Sequence, residues 1–67
     1  MTMVGFRNTH NQMIYVNPAQ VLYVSTFEEE VTVIAYAITD ASGKPVVSHV
    51  RGSAELVQHK LAGGGAR

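Results

Sequence analysis

The sequence predicts an α+β domain dominated by strands: a small antiparallel sheet of about five strands with one short C-terminal helix. Three observations predict it. Short runs rich in β-branched and aromatic residues recur from Met3 to Arg51. Turn-forming clusters separate them, at Asn8-Thr9-His10-Asn11, Asn17-Pro18, Glu28-Glu29-Glu30 and Asp40-Ala41-Ser42-Gly43-Lys44. Only beyond Gly52-Ser53 does the apolar spacing change to the i, i+3, i+7 period of a helix.

Met3 to Arg7 reads as the first strand and Gln12 to Val16 as the second, a hairpin whose Asn-rich turn tolerates left-handed backbone. Pro18 stops it, having no N–H for a ladder and a fixed φ. Val21 to Phe27 is the third strand, with Leu22 and Val24 on one face and Val21, Tyr23 and Phe27 on the other. The three glutamates form a solvated hairpin tip, since a hard-cation site needs ligands from more than one segment. Val31 to Ile38 is the fourth strand, and Pro45 opens the fifth, Val46 to Arg51, where proline is allowed. Ser53 caps the helix and Glu55 suits its dipole, while Ala54, Val57 and Leu61 form the buried stripe, flanked by Leu56 and Lys60. Residues 1–62 make one domain, and 63–67 a flexible Gly-rich tail.

The fourth strand carries the main inference. Val31, Val33, Ala35 and Ala37 share one face, and Thr32, Ile34, Tyr36 and Ile38 share the other, so both are apolar. A helix of about nine residues cannot cover both sides of a five-stranded sheet. Either the sheet curls onto itself or a second copy covers the remaining face, and the expectation is a homo-oligomer, a dimer at least.

Composition points the same way. A chain of 67 residues buries only about 60% of its unfolded surface and usually needs reinforcement. It has no cysteine, which excludes disulfides and thiolate metal sites and leaves self-association. Charged residues make up 15%, against roughly 25% in typical domains, so much of the surface is neutral. Zero formal net charge speaks against nucleic acid as a partner. No apolar run is long enough to span a membrane, and Met1-Thr2-Met3-Val4 lacks a basic leader, so the expected compartment is the cytoplasm.

The chemistry-bearing residues point away from catalysis. His10, His49 and His59 lie in a turn, a strand and a helix without zinc-ligand spacing, so no metal or other cofactor is expected. The serines lack a G-x-S-x-G setting, the glycines lack a phosphate-loop pattern, and the only adjacent carboxylates repel one another at a tip. The expectation is a protein that is not an enzyme. Ser48-His49-Val50-Arg51 is more informative, because alternation puts His49 and Arg51 on one face beside the helix start. Arginine offers a planar donor fork for phosphate or carboxylate, and Tyr15, Tyr23 and Tyr36 offer stacking surface. The bland alternative is an Arg51–glutamate pair with the tyrosines packed in an interface.

From Gln12 to Leu61 the order of features resembles the FlbD-like family of small flagellar and phage accessory proteins. The resemblance rests on Ile14-Tyr15-Val16-Asn17-Pro18, Val21-Leu22-Tyr23-Val24, Gly43, and Val50-Arg51-Gly52-Ser53-Ala54-Glu55-Leu56-Val57. The hairpin between Val31 and Val50 is longer and more apolar than that pattern, and charged residues are sparser. Similar tiny β-domains among phage and prophage accessory proteins include anti-defence proteins that sequester nucleotide-derived signals as oligomers. The expected function is therefore a non-enzymatic, homo-oligomeric module that captures a small anionic, nucleotide-derived ligand. Arg51 and Arg7 would hold its phosphates, Tyr36 would stack on a base, and His49 would donate a hydrogen bond. The alternative is a protein–protein interaction module of the flagellar-regulator kind, without a ligand pocket.

Overall fold

The computed structural model describes residues 3–63. Five strands and a helix follow in order: β1 (Val4–Arg7), β2 (Met13–Val16), β3 (Val21–Glu28), β4 (Val31–Thr39), β5 (Pro45–Arg51) and α1 (Ala54–Leu61), with a single 3-10 turn at Pro18–Gln20. The fold is α+β and strand-dominated, as the sequence predicts. Of the Gly-rich tail, all but Gly63 lies outside the described residues.

The strands form two antiparallel sheets rather than one, a β1–β2 hairpin and a three-stranded sheet in the order β3-β4-β5. Their backbones are linked by a β-bridge between Asn8 and Val50 and by the Thr9 N–H to His49 carbonyl bond. The division has a packing cause. Val4, Phe6, Ile14 and Val16 lie on one face of the hairpin and join one core with Ile34, Val50 and Val57. A hairpin that continued the sheet edge to edge could not lay that face on it.

Across the larger sheet, one set of rows runs Val24–Ile34–Ser48 and Thr26–Thr32–Val50. This is the inner face, and Ile34, Thr32 and Val50 on it are fully buried. The opposite rows, Tyr23–Ala35–Val47, Ser25–Val33–His49 and Glu28–Val31–Arg51, make the outer face. Two irregularities on β3, between Val21 and Tyr23 and between Thr26 and Glu28, correct strict alternation. The first leaves Leu22 as an extra, exposed residue and lets both Val21 and Val24 reach the core, so these two do not take opposite faces. A further register shift between Ala35 and Thr39 leaves Ile38 exposed instead of aligned with Ile34.

The corner from β5 into α1 is tied in three ways. Gly52 has φ +115, where a side chain would be strained, and its N–H donates to the Glu30 carbonyl at 2.8 Å. The buried Thr32 hydroxyl donates to the Gly52 carbonyl at 2.8 Å. Ser53 Oγ accepts from the Leu56 N–H at 3.1 Å, the cap expected from the sequence, and Glu55 lies in the first turn. Val57 is the buried member of the helix stripe, with Ala54 and Leu61 half-buried beside it.

Candidate functional site: a cationic cleft between β1 and α1

The hairpin turn fixes the first side chain of the site. Asn8 Oδ1 accepts from the backbone N–H groups of His10 and Gln12, both at 2.9 Å, and Asn11 takes φ +66. That geometry presents the Asn11 carbonyl to the Arg7 guanidinium, which donates to it through Nη1 at 2.9 Å. Arg7 then stands on the solvent face of the hairpin with Gly5, Met13 and Tyr15. Gly5 has no side chain, and a Cβ there would come within 3.1 Å of Met13 Cε and 3.2 Å of Tyr15 Cε1. Met13 and Tyr15 therefore fold down over the Gly5 backbone.

From the opposite side, α1 brings Lys60. Its ammonium donates to the Gly5 carbonyl at 3.1 Å and lies 4.8 Å from the centre of the Phe6 ring. Between these elements is a cleft of about 240 Å³. Phe6 and Val57 form its floor, Met13 and Leu56 its apolar walls, and Arg7, Arg51 and Lys60 its charged groups. Among the described residues no carboxylate lines it. Three of the chain's five lysines and arginines thus meet in one depression of a chain with zero formal net charge.

The four residues singled out from sequence are distributed unevenly. Arg7 and Arg51 share the cleft, although 44 positions separate their numbers. His49 lies on the outer face, where its ring meets Phe27 edge-on at 4.6 Å, and it lines a separate pocket of about 150 Å³ with Asn8, Thr9, His10 and Ser48. Tyr36 is on the other side of the sheet. It packs against the core, and its hydroxyl donates to Ser48 Oγ at 3.0 Å. Period-two alternation explains the separation: β4 residue 36 shares the inner face with 34 and 32, whereas β5 residues 49 and 51 face outward. Besides the buried Phe6 ring of the floor, an exposed ring stands beside the cleft: Tyr15, which is 65% exposed, lies over its lining residue Gly5.

Lys60 and Met13 escaped the sequence reading as site residues. The signal for Lys60 was present: it lies one turn beyond Leu56 and three positions after Val57, on the helix face that meets β1. A wider depression of about 410 Å³ runs along Ser53, Glu55, Leu56, Gln58 and His59, but it is an open helix surface carrying a carboxylate. Among the described residues no cluster of three or more potential metal ligands occurs, and no helix is long and apolar enough to cross a membrane. No known family pattern, curated protein or solved structure matches the chain.

Proposed function

We propose that the chain is a non-enzymatic, homo-oligomeric binding module that captures a small anionic ligand in the Arg7–Arg51–Lys60 cleft. The supporting observation is the convergence of these three cations on one concave depression with an apolar floor and, among the described residues, no carboxylate. Cations placed together repel in the free protein and are relieved by an anion, and each arginine can offer a bidentate fork to phosphate or carboxylate. The volume lies below the roughly 300–1,000 Å³ of pockets that enclose drug-sized ligands, so the cleft takes the charged end of a ligand and leaves the remainder at its mouth. There Tyr15 supplies a stacking surface for a base, the role expected of Tyr36. A nucleotide-derived signal of the kind sequestered by phage or prophage accessory proteins fits this division of labour.

Calorimetry with pyrophosphate, ADP-ribose and cyclic dinucleotides tests the reading. Binding should weaken about tenfold or more in Arg51→Ala and be recovered only in part by Arg51→Lys, which keeps the charge and loses the fork. No binding to any member of the panel, with a partner protein recovered by pull-down, would favour the interaction-module alternative. That second reading has its own support in the exposed apolar residues of the outer face, Tyr23, Phe27 and Val47.

A further inference from the structure

The outer face of the β3-β4-β5 sheet is self-complementary, and we infer that it packs against the same face of a second copy about a two-fold axis running along β4. This builds on the homo-oligomeric part of the functional reading by naming the surface. Its three rows are Tyr23–Ala35–Val47, Ser25–Val33–His49 and Glu28–Val31–Arg51. A two-fold along the central strand lays β3 of one copy over β5 of the other while keeping each row level with itself. Tyr23 then meets the partner's Val47, Ser25 meets the partner's His49, and Glu28 meets the partner's Arg51. Each pairing is chemically matched: ring on aliphatic group, hydroxyl on imidazole, carboxylate on guanidinium. Each occurs twice. The centre is small and apolar: Val31 and Val33, both half-buried, pack on their counterparts, as aligned sheets do at about 10 Å separation, while Ala35 is already fully buried within one copy. The other in-plane axis, across the strands, would set Glu28 and Arg51 at opposite ends from their counterparts and lose the charge match.

The available area agrees with a dimer of modest affinity. Tyr23, Phe27 and Val47 are 52%, 58% and 42% exposed. Together with the half-buried Val31 and Val33 and the flanking Ser25, Glu28, His49 and Arg51, they leave roughly 500 Å² on one copy, so about 1,000 Å² in all, near the lower bound for a specific interface. Phe27 reaches across toward β5 to touch His49 but shields the face only in part. Of the other surfaces of the sheet, the inner face is occupied by the core and the β5 edge by the Asn8 bridge and the Thr9 N–H to His49 carbonyl bond at 3.3 Å, which leaves the β3 edge as the competing contact.

Sedimentation equilibrium across roughly a hundredfold range of micromolar concentration tests the contact. The wild type should pass from a 7.2 kDa species towards twice that mass. Tyr23→Lys and Val47→Lys should each weaken association about tenfold or more, with thermal midpoints near that of the wild type. Glu28→Arg and Arg51→Glu should each weaken it, and the double exchange should restore it, because only that two-fold axis brings the pair together. A wild type monomeric throughout, a dimer indifferent to Tyr23→Lys and Val47→Lys, or a double exchange without recovery would overturn the inference. A dimer that survives Val47→Lys but is lost in Ser25→Pro would overturn it by moving the contact to the β3 edge. Arg51 belongs both to this row and to the cleft, so the partner's Glu28 and an anion share one guanidinium. Calorimetry of pyrophosphate with Val47→Lys, which leaves Arg51 in place, reads the cleft apart from the dimer, so loss of the dimer and loss of ligand binding are distinguishable.

Discussion

The two faces of the three-stranded sheet are built from similar residues and meet opposite fates. On the inner face Ile34 and Val50 have no exposure, because the hairpin face carrying Phe6 and Val16 and the helix residue Val57 close over them. On the outer face nothing within the described chain closes over Tyr23 or Val47, and Phe27 and His49 give partial cover only. An apolar strand pattern therefore says that both faces avoid water without saying how each does so. One face is satisfied by the chain itself, and the other is the surface proposed above to meet a second copy. The cationic cleft stands at the rim between these regimes, since Arg51 ends an outer-face row and lines the cleft as well.

The sharpest way to break this contrast is to place one charge at the buried centre of the inner face and one at its exposed end. Ile34→Asp buries a carboxylate without a partner, which costs several kcal/mol and should abolish the cooperative urea transition of so small a domain. Thr26→Asp, at an exposed strand end, should melt close to the wild type. Similar melting temperatures for the two variants would mean that the inner face is not the core.

A subtler probe of the inner face is Thr32→Val, which keeps the shape and removes the hydroxyl bonded to the Gly52 carbonyl. The expected loss is about 1–2 kcal/mol by chemical denaturation, because that carbonyl loses its buried donor. An unchanged midpoint would show that the Gly52–Glu30 backbone bond and the Ser53 cap hold the corner without the Thr32 hydroxyl.

At the cleft, Tyr15→Ala should weaken binding of an adenine-bearing ligand by about 1–3 kcal/mol and leave pyrophosphate binding unchanged. Equal losses for both ligands would assign Tyr15 to holding the cleft walls.

The smallest effect lies in the β4–β5 turn. The Ser42 hydroxyl, followed by the backbone N–H groups of Lys44 and Ser42, holds the Asp40 carboxyl below its ordinary range. The folded value is thus depressed, so its contribution is present above the usual carboxylate range and is lost as pH falls through that lowered value. Asp40→Asn should flatten the acid limb of the stability profile slightly, and an identical limb in both proteins would remove Asp40 from the account.

Much of the fold was legible because turns and caps are local. Asn8, Pro18, Asp40 and Ser53 act within four residues of themselves, and each does in the structure what its residue type suggests. The bulges at Leu22 and Phe27 were not legible, since an extra residue in a strand leaves no mark in a run that is apolar on both faces. The division into two sheets was hidden for the same reason: hairpin strands four residues long read alike whether they extend a sheet or fold onto it. For the site, alternation correctly set Arg51 apart from the inner face but could not pair it with Arg7 or Lys60. That juxtaposition depends on how the hairpin and helix pack, and Tyr36, chosen for its chemistry, belongs to the core side.

The most direct test of the cleft as the anion site is a titration of isotope-labelled protein with pyrophosphate, followed by amide NMR. Shifts should concentrate at Gly5, Arg7, Met13, Arg51 and Lys60, leave Tyr23, Phe27 and Val47 in place, and weaken with added salt. Perturbations centred on the outer face, or none at millimolar ligand, would contradict the assignment.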